Sequence, residues 1–136
     1  MKTLDLPRLA RFATLVCALA IAWLSLKPQG EPPEAGFPVF VFLAELILGD
    51  AQQTDKIKHA LAYFALMGAA FVGFRKRIPS LRIIGGTLAY GLLFEGLQSL
   101  TPDRTASLAD MAANSVGVAI GLSAGYVATK VVPGVR

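Results

Sequence analysis

Four apolar runs, at about 9–26, 57–74, 81–100 and 108–130, take up most of this chain of 136 residues. A helix needs about 20 apolar residues to cross the hydrocarbon of a bilayer, and each run approaches that length. Lipid offers the backbone no hydrogen-bond partners, so such runs fold as helices. The composition agrees: 54% of residues are hydrophobic and 16% charged, with a mean hydropathy of +0.58. A soluble domain of this size normally carries more charge. The expected fold is all-α, a single membrane domain over 1–136 with four transmembrane helices.

Lys2, Arg8 and Arg11 lie at or before the start of the first run. That raises a signal peptide, but the run ends Trp23-Leu24-Ser25-Leu26-Lys27-Pro28, without the small-x-small pattern of a cleavage site. A retained anchor is expected. The single cysteine, Cys17, excludes an intramolecular disulfide and a multi-cysteine metal site. The net charge of +4 is modest, and no basic stripe interleaved with aromatics suggests nucleic acid.

Lysine and arginine set orientation. With the N-terminus inside, Lys2, Arg8, Arg11, Arg75, Lys76, Arg77, Arg82, Lys130 and Arg136 are cytoplasmic, and Lys27, Lys56, Lys58 and Arg104 are outside. Nine against four predicts a multi-pass protein with both termini cytoplasmic. Of the acids, only Asp5 then lies inside.

The outer loop, 27–54, begins with a Pro- and Gly-rich stretch. It continues into Phe37–Leu48, which is too short to cross and reads as an interfacial or re-entrant segment. That segment either packs on the outer face as a helix or strand, or forms a flap over the polar groups described next.

Ionisable and amide side chains gather toward the outer ends of the runs. Span two opens with Asp55, Lys56, Lys58 and His59. Asp55 and His59 are four apart and share a helix face. Asp55 either caps the helix or orients the imidazole. Glu95 lies more than a turn inside the outer end of span three, with Gln98 three residues on. A buried carboxylate there needs a partner, and Lys56, Lys58 and Arg104 are candidates. Ser107 and Asp110 have capping-box spacing at the start of span four. Asn114, four residues deeper, extends Asp110 into a polar stripe. Arg104 suits a carboxylate or a phosphate. Gly117, Gly121 and Gly125 recur every fourth residue, and Gly85, Gly86, Gly91 and Gly96 thin span three. Small residues let helices approach closely in lipid, so spans three and four are expected to touch tightly.

These residues resemble the pattern of the VanZ-like family of small bacterial membrane proteins. The resemblance rests on Asp55-Lys56-x-x-His59, on Glu95-x-x-Gln98, and on Arg104-x-x-Ser107-x-x-Asp110-x-x-x-Asn114-x-x-Gly117-x-x-x-Gly121, over roughly residues 10–128. It implies a helical domain in the bacterial plasma (inner) membrane and a link to the cell envelope. The family's namesake is associated with resistance to the glycopeptide antibiotic teicoplanin.

The leading expectation is an outward-facing site that binds or modulates an envelope lipid, a lipid-linked precursor or a lipophilic glycopeptide. Its binding residues would be Asp55, Lys56, His59, Glu95, Gln98, Arg104, Ser107, Asp110 and Asn114. The alternative is a membrane enzyme acting on a lipid headgroup, with His59, Glu95 and Asp110 as acid and base or as holders of a divalent metal. No cofactor is predicted, and no strong metal-binding spacing is present. A small proton-coupled transporter carried by Glu95 ranks lower, because there is no internal repeat. A scaffold whose polar residues only lock the helices is the remaining reading.

Overall fold

The structure is a computed structural model that describes residues 5–26, 38–100 and 107–135. Among these residues the chain is helical and contains no strand. The helices are α1 (Leu6–Leu26), α2 (Pro38–Leu48), α3 (Thr54–Phe74), α4 (Ser80–Gln98) and α5 (Leu108–Val131), with a 3-10 turn at Ala51–Gln53 between α2 and α3. Leu6–Leu26, Ala51–Phe74 and Leu108–Val131 are long and apolar enough to cross a membrane. α4, at 19 residues, is not among the three. Its four glycines and its Arg82, Glu95 and Gln98 dilute its apolar content.

The segment before α3 is a helix rather than a strand. Pro38 opens α2, a position where the missing N–H costs nothing. Gly49, at φ 69°, closes it in the left-handed conformation that suits glycine. Only Ala44 of α2 is buried. Among the described residues α2 packs on the 3-10 turn and on α3, and not on α4 or α5. It therefore flanks the bundle beside α3 and does not span the ends of all three helices.

α3 is the centre of the bundle and packs against α1, α4 and α5. Its Tyr63, Leu66, Met67, Ala70 and Phe71 form the core with Ile21, Ile83 and Val118. The outward surface is apolar too: Phe12, Leu19, Trp23, Leu81, Ile120 and Val131 are exposed. In water such a surface would be a liability, whereas lipid solvates it.

The glycines of α5 face α3, which corrects the expectation that they pack on span three. A methyl group at Gly117 would overlap the Ala60 carbonyl, one at Gly121 would overlap the Phe64 carbonyl, and one at Gly125 would press on Phe71 and Gly68. The spacing marked a thin face correctly but carried no information about which helix fills it. In α4 only Gly91 is in close contact, since a Cβ there would stand 3.3 Å from the Tyr63 ring; Gly85, Gly86 and Gly96 border open space.

The order of these contacts shows that α3 and α5 run parallel. α4 runs the opposite way and packs against both. Thr87 reaches Met67 Sδ at 3.6 Å, and Glu95 at the far end of α4 reaches Ser107 before α5. α1 is antiparallel to α3, because Arg11 near its start donates to the Gly73 carbonyl near the end of α3. The Tyr90 hydroxyl ties α4 to α1 by donating to the Ala18 carbonyl at 2.6 Å. One end of the bundle thus collects the starts of α3 and α5 and the end of α4. The other collects Arg8, Arg11, Lys76 and Arg77 around a groove that Val135 also lines.

Candidate functional site

Three helices bring the polar residues together at one end. α3 supplies Lys56 and His59, α4 supplies Glu95 and Gln98, and α5 supplies Asp110 and Asn114. Glu95 (2% exposed), Gln98 and Asn114 are buried; His59, Lys56 and Asp110 are partly so. The expectation that Glu95 and the Asp110–Asn114 stripe share one neighbourhood therefore holds, although the glycine seam that assembles it joins different helices.

The local start of α5 explains the geometry. Ser107 is its N-cap, and the serine Oγ accepts from the Asp110 backbone N–H at 3.3 Å. In a complete capping box the side chain three residues on would return the bond to the cap's own N–H. Here the Ser107 N–H donates instead to Glu95 Oε2 at 3.3 Å. Glu95 thus takes the place that Asp110 would fill, and the Asp110 carboxylate turns elsewhere. Its Oδ1 is buried and accepts no hydrogen bond. Lys56 Nζ lies 3.4 Å from it, close enough for charge attraction without hydrogen-bond alignment.

His59 is the hub. Its Nδ1 is hydrogen-bonded to Asn114 Oδ1 at 3.0 Å and lies 3.9 Å from Glu95 Oε1. An amide oxygen only accepts, so in this arrangement Nδ1 carries a proton. His59, Glu95 and Asp110 each place one donor atom within 4.8 Å of the others.

Asp55 behaves differently from both readings of it. Gln53 holds the N-cap position of α3, without a side-chain bond, and Asp55 falls inside the first turn. Its side chain is 64% exposed and pairs with Lys58 at 3.3 Å, and Asn114 holds His59 in its stead. Position 55 favours an acid because a helix N-terminus is electropositive, and that account needs no ligand. Arg104 lies outside the described residues.

Tyr63 was not among the expected site residues. It is buried one turn below His59, and a Cβ at Gly91 would meet its ring at 3.3 Å and Asn114 Nδ2 at 3.4 Å. The i, i+4 spacing from His59 was the available signal, but an aromatic residue in an apolar run is ordinarily core.

No protein-family model, curated protein or solved structure matches this chain.

The site therefore speaks through its own chemistry. It offers two carboxylates, an imidazole, an ammonium and two amides at the end of an apolar bundle. Removing a charge from water into lipid costs roughly 2.5–3.5 kcal/mol on insertion scales. Mutual attraction offsets part of that for Lys56 and Asp110, while the Ser107 N–H supports Glu95. Such a set can bind a headgroup, exchange a proton through His59, or hold a cation.

Proposed function

We propose that this chain is a VanZ-like envelope membrane protein with four spans, whose polar end faces outward and binds the headgroup of an envelope lipid, a lipid-linked precursor or a lipophilic glycopeptide. The observation that carries the reading is the convergence of six polar side chains from three apolar helices on one end, with Glu95 at 2% exposure. Polar groups at such a depth are costly and commonly mark function. Lys56 supplies a cation for a phosphate or carboxylate, and Asp110 and Gln98 supply acceptors for sugar hydroxyls or amide N–H groups. The exposed apolar sides of the helices suit the chain of an amphiphile.

The parallel course of α3 and α5 supports a fourth span. Two helices that cross in the same direction require the chain to return between them, and α4 is the helix that does so. The arginines and lysines at the opposite end fit a cytoplasmic placement of both termini under the positive-inside rule.

Binding of a polyprenyl-phosphate lipid to the purified chain, measured by native mass spectrometry and titration, tests the proposal. Lys56→Ala should weaken binding about 5–10-fold, the loss of a partly exposed charge contact. Unchanged affinity would overturn the role of this end. Turnover of the lipid over time would move the reading to a headgroup enzyme.

A further inference from the structure

Two carboxylates and an imidazole meet here from three separate helices, which is an unusual concentration for a bundle end. Two observations point past mutual hydrogen bonding. Asp110 Oδ1 is buried yet accepts no hydrogen bond, because Glu95 has taken the Ser107 N–H. Among the described residues, Lys56 is also the one lysine or arginine within ion-pair distance of either carboxylate. Among the described residues, that leaves one ammonium beside two carboxylates.

We infer that His59, Glu95 and Asp110 form a binding site for a divalent transition-metal cation, Zn2+ or Mn2+. Three donor atoms within 4.8 Å of one another can all lie within about 2.8 Å of one central point, and small side-chain rotations shorten that to the roughly 2.0–2.2 Å of zinc bonds. The donor set decides the class. Imidazole nitrogen suits zinc and its neighbours, and carboxylates also suit manganese. Calcium and magnesium prefer all-oxygen surroundings. Asn114 holds the Nδ1 edge of the imidazole, so ligation through Nε2 keeps that bond, as a second residue does for most metal-bound histidines. Lys56 is the ammonium that balances Asp110 without a metal, and it competes with one.

The cation site stands without the lipid reading and also adds to it. Two carboxylates repel a phosphate, and a cation between them converts the same wall into an anchor for one.

The test is calorimetric titration of the full-length protein in detergent with Zn2+ and with Mn2+, using Ca2+ as a control. Wild type should take up one equivalent of Zn2+ or Mn2+. Asp110→Asn and Glu95→Gln should each lose at least about 10-fold in affinity. Circular dichroism checks folding; if Glu95→Gln is not helical, the partly exposed Asp110→Asn decides alone. Lys56→Ala should bind the metal more tightly while binding lipid phosphate less tightly. Absence of stoichiometric uptake, equal uptake in Asp110→Asn, or a metal affinity that fails to rise in Lys56→Ala would overturn the site. Metal uptake that follows these expectations, with a lipid affinity indifferent to Lys56→Ala, would overturn the lipid reading and leave the cation site standing.

Discussion

The Ser107 amide donates to a carboxylate on another helix, Glu95, although Asp110 is spaced to receive it. A local bond is thereby exchanged for one that ties α4 to α5 and leaves Asp110 turned toward Lys56. Asn114 does comparable work for α3 by holding His59. Replacing Asn114 with Leu should leave the His59 N–H without its acceptor and cost about 1–3 kcal/mol, read as a lower melting temperature in detergent. Asp55→Ala, at an exposed position, should stay within about 0.5 kcal/mol of wild type. The contrast tests whether the two residues differ as sharply as their surroundings do. Glu95, Asp110 and Asn114 were legible from the sequence because polar groups deep in apolar runs are expensive enough to need an explanation. Asp55 was harder, since a cap, a histidine partner and a first-turn acid all look alike in one dimension. Tyr63 was overlooked because its hydroxyl adds little to the polarity of an otherwise apolar run.

Between helices, the decisive feature is the face of α5 that carries Gly117, Gly121 and Gly125. With no hydrophobic driving force between helices in lipid, close backbone packing supplies much of their attraction. Gly117→Leu or Gly121→Leu should force α3 and α5 apart and lower the melting temperature strongly, at a cost exceeding the roughly 1–3 kcal/mol of ordinary overpacking because backbone carbonyls stand in the way. Gly85→Ala and Gly86→Ala meet nothing within 4 Å and should be neutral or stabilising by up to about 1 kcal/mol through helix propensity. Thermal unfolding of the four variants would check the contrast. The apolar runs located α1, α3, α4 and α5 to within a few residues, since a long run without breaking residues folds as one helix. The pairing of α5 with α3 was not legible: periodicity describes one helix face at a time.

At the level of the whole molecule, the two ends have opposite character. One holds His59, Glu95 and Asp110; the other gathers Arg8, Arg11, Lys76 and Arg77. The basic end also ties itself together, since Arg11 donates to the Gly73 carbonyl and Arg75 to the Val135 carbonyl. The proposed four-span topology makes a direct prediction. In a Cys17→Ser background, Ser99→Cys should react with a membrane-impermeant thiol reagent added outside intact cells, and Ser80→Cys should react only after lysis. Reaction of both from outside would refute α4 as a span. The exposed apolar flanks of α1 and α5 were foreseeable from composition, because a bundle with so little polar surface has to be solvated by lipid.

The parallel pairing of α3 with α5 also bears on how the chain is made. Synthesis proceeds from the N-terminus, so α3 leaves the ribosome before the helix whose glycine face packs against it exists. Until α5 arrives, His59 lacks Asn114 and Glu95 lacks the Ser107 amide. The nascent protein must therefore carry incompletely matched polar groups while the 55 residues from His59 to Asn114 are added, and this end is completed only when α5 emerges.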